Sequence, residues 1–177
     1  MVTITGESLD SWIAAMSQLS ASFTRTFEGK YGYPPGENRV VEATGDSDTK
    51  SHLAVLKEAE VGDLVAFYSR VAEVSLPDVG SGFFVHAAES VIDGMNGDQP
   101  TRVAGSADEP IIVFGSDGGG SLFALGASEG LIYRLTGGTL IGSVYEVEDS
   151  GLEVVARNLW GFLQYLREAF SESISGE

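Results

Sequence analysis

The stretch Ile111-Ile112-Val113-Phe114-Gly115-Ser116-Asp117-Gly118-Gly119-Gly120-Ser121-Leu122-Phe123-Ala124-Leu125 sets two runs of β-prone residues either side of a glycine-rich turn. Residues 111–115 and 121–125 are dominated by branched and aromatic side chains, the composition that suits a pleated, half-buried surface. The residues between them predict a hairpin turn. Asp117 is placed to cap backbone amides, and Gly115, Gly118, Gly119 and Gly120 supply the backbone freedom, including positive φ, that such a turn needs. A phosphate-binding loop is the competing interpretation, and it fails on spacing. No Lys follows in the required place, the pattern is not G-x-G-x-x-G, and the residues after the glycines alternate like a strand instead of opening a helix.

Working outward, further short β-prone runs punctuated by turn residues lie at 82–86, 101–104, 131–135 and 140–146, with a weaker one at 38–43. Helical periodicity governs the two ends. Leu9, Trp12, Ile13, Met16, Leu19, Phe23 and Phe27 recur at steps of three and four, with Ser8 as the expected N-cap and an end near Gly29. Leu53, Leu56, Leu64, Phe67, Tyr68 and Val71 continue the pattern through two helices at 51–60 and 63–71, separated at Gly62. Residues 87–93 suggest a helical turn. The chain closes on a helix at 158–170, capped by Asn158 and lined by Leu159, Phe162, Leu163, Leu166 and Phe170. Trp12 and Trp160 fall at helical spacing among these apolar residues and are read as packing residues.

The expected fold is therefore α+β, with a central, mostly antiparallel sheet flanked by N-terminal and C-terminal helices. The expected organisation is an N-terminal helix and extension over 1–50, a main domain over 51–171 and a frayed tail over 172–177.

Composition narrows the function. The 177 residues include 26 Asp and Glu against 10 Lys and Arg, a formal charge of −16. So acidic a surface repels phosphate backbones and anionic headgroups, which excludes nucleic acid and a polybasic membrane contact as partners. The chain has no cysteine, which removes disulfides, thiol nucleophiles and Cys-ligated metals. The first residues lack a leader pattern and no apolar run reaches the ~18 residues of a membrane span, so a soluble, cytoplasmic protein is expected.

Catalytic patterns are equally sparse. Ser116, His86 and either Asp117 or Asp78 assemble a serine triad on paper, but the nucleophile-elbow pattern is missing because Phe114 stands where it needs glycine. His52 and His86 are the only imidazoles and form no metal motif. Asp46-Ser47-Asp48 begins like a calcium loop without its later glycine and glutamate, and reads as a solvated loop. No catalytic, metal or cofactor residue is assigned.

The ordered pieces Phe67-Tyr68-Ser69, Ser75-Leu76-Pro77-Asp78-Val79, Gly82-Phe83-Phe84-Val85-His86, Ile112 to Gly120, Leu122-Phe123-Ala124-Leu125, Tyr133-Arg134-Leu135 and Trp160-Gly161-Phe162-Leu163 together resemble the SUKH superfamily over about residues 53–170. That superfamily includes fungal cell-wall-synthesis regulators and bacterial toxin-immunity proteins. The chain departs from it at Val61-Gly62-Asp63-Leu64, where many members carry Leu-Pro, and at Ala72-Glu73 in place of Asn-Gly. The resemblance implies a single α+β domain, no enzymatic activity and a role in binding another protein.

The charge map points the same way. Residues 71–133 carry nine acids (Glu73, Asp78, Glu89, Asp93, Asp98, Asp108, Glu109, Asp117 and Glu129) and one base, Arg102. Half of the net charge thus sits on about a third of the chain. Asp78, Asp93, Asp98, Asp108, Glu109, Asp117 and Glu129 are the candidate partner-binding residues, and the expected partner is a basic protein such as a nuclease-type toxin, neutralised by an immunity protein. The alternatives are a regulatory adaptor or a small-ligand and peptide-binding module with a cleft beside Gly115–Gly120, and a carboxylate-dependent hydrolase.

Overall fold

The computed structural model describes residues 4–176. Residues 1–3, on which part of the leader expectation rests, and Glu177, the last residue of the expected tail, lie outside the described residues. The elements are α1 (Gly6–Tyr31), β1 (Arg39–Glu42), α2 (Ser47–Glu58), α3 (Gly62–Tyr68), β2 (Val71–Leu76), β3 (Phe83–Val85), α4 (Ala88–Asp93), β4 (Arg102–Gly105), β5 (Glu109–Asp117), β6 (Leu122–Gly126), β7 (Ile132–Leu135), β8 (Thr139–Ile141), β9 (Val144–Val147), β10 (Leu152–Ala156) and α5 (Leu159–Ser175). The architecture is α+β, with helices flanking a central sheet whose pairings are antiparallel except for β4 with β9.

β5 organises the sheet because it is long enough to pair with three strands. Along one edge it carries β6, from Ile111 opposite Gly126 to Ser116 opposite Leu122. Its other edge is shared: β3 pairs with residues 115–117 at one end and β4 with residues 109–110 at the other. The sheet therefore forks, running on one side through β3, β2 and β1, on the other through β6, β7 and β10, and branching through β4 to β9 and β8.

Strand alternation sends successive β5 residues to opposite cores. Phe114 enters the main core, where Phe123, Leu125 and Ile132 from the sheet meet Leu9, Trp12, Leu64, Phe67, Phe162 and Phe170 from the helices. Ile111 and Val113 face the other way, into a smaller core with Val103, Ala124, Tyr133, Leu135 and Val147. The branch formed by β4 and β9 closes over that second face. A strand buried on both faces reads as a continuous apolar run, which is what 111–114 shows.

Several boundaries differ from the sequence expectation. The N-cap of α1 is Thr5, and Ser8 is its partner three residues on: each side chain accepts from the other residue's backbone N–H, a capping box. α2 begins at Ser47, inside the stretch expected as a loop, because the Asp46 side chain accepts from Thr49 N–H at 2.8 Å. Val71 belongs to β2, and Gly62 opens α3 instead of separating the helices. The run at 140–146 divides into β8 and β9 around Gly142, whose φ of 63° permits the reversal. β2 and β10 were not foreseen as strands. α5 extends past Phe170 to Ser175, where Gly176 in the left-handed conformation caps it, so the expected frayed tail is helical over 172–175.

Helix α1 is integral to the fold. Trp12 of α1 is buried and donates its Nε1–H to Leu163 O of α5 at 2.9 Å. Phe23 packs edge-on against Phe170 at 5.4 Å between ring centres. Among the described residues no helix is long and apolar enough to cross a membrane.

Candidate functional site

The two ends of β5 differ in character. At the C-terminal end, the Asp117 side chain is buried and its Oδ1 accepts from the N–H groups of Gly119 and Ser121, both at 2.9 Å, while Oδ2 takes the Arg134 guanidinium. Burial alone pushes this carboxyl up, but the amides and Arg134 outweigh it and hold it below the usual carboxylate range. The glycines serve this turn in different ways. Only Gly120 has positive φ, at +90°. Gly118 and Gly115 are needed for close approach, since a Cβ would stand 2.1 Å from Ser81 O and 2.5 Å from Phe84 O respectively. The expectation that all four glycines supply positive φ is corrected accordingly.

Next to this turn, His86 Nε2 lies 3.0 Å from Ser116 Oγ, so the pair drawn on paper is made. The third member is missing: Asp117 is committed to Arg134, and Asp78 accepts from Gly36 N–H and Asn38 Nδ2, both at 2.8 Å. Burial pushes the His86 imidazole below its ordinary value of 6.5. A depressed histidine favours the fold while neutral and loses that contribution as pH falls below 6.5 and through its folded pKa. The melting temperature should therefore drop from pH 7 to pH 5, and His86→Gln should flatten that segment of the profile in thermal scans.

The N-terminal end of β5 holds a groove of about 530 Å³. Its wall on one side is the corner between α2 and α3, with Glu60, Val61 and Asp63. Opposite are Ile111 and Ile112 of β5, Leu125 and Gly126 of β6, and the β6–β7 turn through Ala127 and Gly130. Glu60 adopts φ 59° to make the corner, a left-handed conformation that costs a non-glycine residue on the order of 1 kcal/mol. Asp63 sits in the first turn of α3. Burial raises its pKa, and no hydrogen bond or ion pair to another described residue offsets that.

Glu109 lies behind this groove. It is 8% exposed, accepts from Ser128 N–H at 2.8 Å and from the Tyr133 hydroxyl, and so latches the β6–β7 turn to the start of β5. Burial pushes its carboxyl up, and the Tyr133 and Ser128 hydrogen bonds more than reverse this, leaving it below its ordinary value. Tyr133 is driven to about 12, first by burial and then by Glu109. Both partners of Glu109 are neutral, so its charge stands uncompensated beneath Gly126, where an added Cβ would meet Oε1 at 2.7 Å.

The seven expected partner-binding acids thus separate. Asp93 and Asp98 are exposed on α4 and the wide turn after it, Glu129 on the β6–β7 turn, and Asp108 beside β5, where it pairs with Arg102 at 2.6 Å. Glu109 and Asp117 are buried and engaged inside the fold, which corrects them to structural roles, whereas Asp78 is half-buried and accepts from Gly36 and Asn38. Glu60 and Asp63 were missed because they precede the acid-rich window. Their signal was two acids flanking Val61-Gly62 between helical patterns. The groove also lies away from the expected cleft at Gly115–Gly120, whose first residue is four positions along β5 from Ile111, or roughly 13 Å.

Among the described residues no group of three or more His, Asp or Glu side chains is placed to hold a metal ion. In comparisons with known proteins, no family model and no curated sequence matches this chain.

Proposed function

We propose that this chain is a non-enzymatic, SUKH-like protein-binding domain of the immunity type, acting in the cytoplasm by covering the surface of a basic toxin domain. The observation that carries this is the end of the sheet where Glu60 and Asp63 line an apolar-floored groove, with exposed Glu129 on the β6–β7 turn that forms part of its opposite wall. Arg102, the base nearest in sequence to these strands, is already paired with Asp108. Such a surface attracts a cationic partner at long range and offers apolar area for close contact. The order of family-like motifs along the chain supports the immunity assignment.

The test is co-expression with each candidate basic toxin domain that the neighbouring genes encode, followed by binding kinetics. Protection of the cells and a stable complex are expected, with an association rate falling about tenfold between low and high salt as the field is screened. The absence of both a complex and protection overturns the proposal.

A further inference from the structure

The groove at the start of β5 combines three features that select one class of occupant. Its floor, where Val61, Ile112 and Leu125 meet, is apolar. Asp63 on its wall is half-buried, and among the described residues it has no cation to meet it. Beneath Gly126 lies the carboxylate of Glu109, held only by a hydroxyl and an amide. A neutral apolar occupant would strip water from Asp63 and gain nothing for it. An anion is repelled, and among the described residues no set of donors converges as a metal site requires.

We infer that this groove takes a single long cationic side chain, arginine or lysine, of the protein partner, with its methylenes on the apolar floor and its charged head against Asp63 and Glu60. Long basic side chains have the amphipathic form this demands, an apolar stem ending in a charge. Glu109 adds attraction from below without touching the head. The inference rests on the proposed binding of a basic protein and names the point where that partner is anchored; a central side chain in a partly desolvated pocket is where binding energy concentrates.

The probe is Nα-acetyl-arginine N-methylamide, titrated into the ¹⁵N-labelled full chain, with the norleucine analogue as the neutral control. Saturable amide shifts are expected at 60–63, 111–112 and 125–130, with the norleucine compound about tenfold weaker. Asp63→Asn should weaken the arginine probe about fivefold. That substitution removes a charge that burial disfavours, so the variant keeps its fold and its melting temperature stays level or rises. An equal response to norleucine, shifts confined to other acidic surfaces, no shift at all, or an undiminished response in Asp63→Asn each overturns the inference. The partner complex separates the two levels. If it forms while the groove ignores the arginine probe, only the groove assignment falls; if the probe binds as expected but no toxin complex forms, only the immunity proposal falls.

Discussion

Replacing Asp117 with alanine should lower the unfolding free energy by about 3 kcal/mol, because it leaves a cation and two backbone amides without their shared acceptor. The side chain is fully buried, whereas that of Arg134 is 29% exposed, so the guanidinium can recover some hydration and the loss falls at the low end for a broken buried pair. For a chain of this size the melting temperature should fall by about 6–12 °C. Dependence on pH identifies the cause. A carboxylate whose folded pKa is depressed contributes above its unfolded value, near 4, and loses that contribution as pH falls through the folded pKa. The gap between parent and variant melting temperatures should therefore be full at pH 7 and shrink below about pH 4. A gap independent of pH would mean that Asp117 acts through packing alone.

Phe162→Ala should cost more, about 4 kcal/mol, by opening a cavity where the sheet meets α5. Phe162 is fully buried and stands edge-on to Phe114 at 5.2 Å and tilted against Phe123 at 5.0 Å, so one residue joins the helix to both β5 and β6. Those strands are rigid and paired on both edges, which limits how far they can collapse into the void. Urea denaturation should show a lower midpoint with an unchanged slope, while Phe162→Leu should lose only about 1.5 kcal/mol. Equal costs for the two variants would show that the aromatic ring itself, and not the volume it fills, carries the stability.

Both residues belong to parts of the chain whose roles were legible in sequence. Asp117 was expected to cap its turn, and Phe162 to line the buried face of the last helix, because capping and helical periodicity are local properties. What the sequence concealed was where each acid's charge would be spent. Asp78 lies in an acid-rich segment like Asp93 and Asp98, yet it clasps Asn38 across 40 residues, with its own N–H donating to Asn38 Oδ1 at 3.0 Å. No local pattern encodes such a partner. β2 and β10 escaped notice for a related reason: their residues alternate too irregularly, and the neighbours that complete their hydrogen bonding come from distant segments.

From sequence alone follow the α+β class, the glycine turn, the two terminal helices with Asn158 as the cap of the last, and the strong net acidity, because periodicity, turn chemistry and net charge need no knowledge of what lies far along the chain. Tertiary structure alone divided the acids into latches and surface charges, and moved the candidate site from the Gly115–Gly120 end of β5 to the end where the corner between α2 and α3 meets Ile111 and Leu125. The physical reason is that burial and charge pairing are properties of neighbours in space, and β5 gathers neighbours from both halves of the chain.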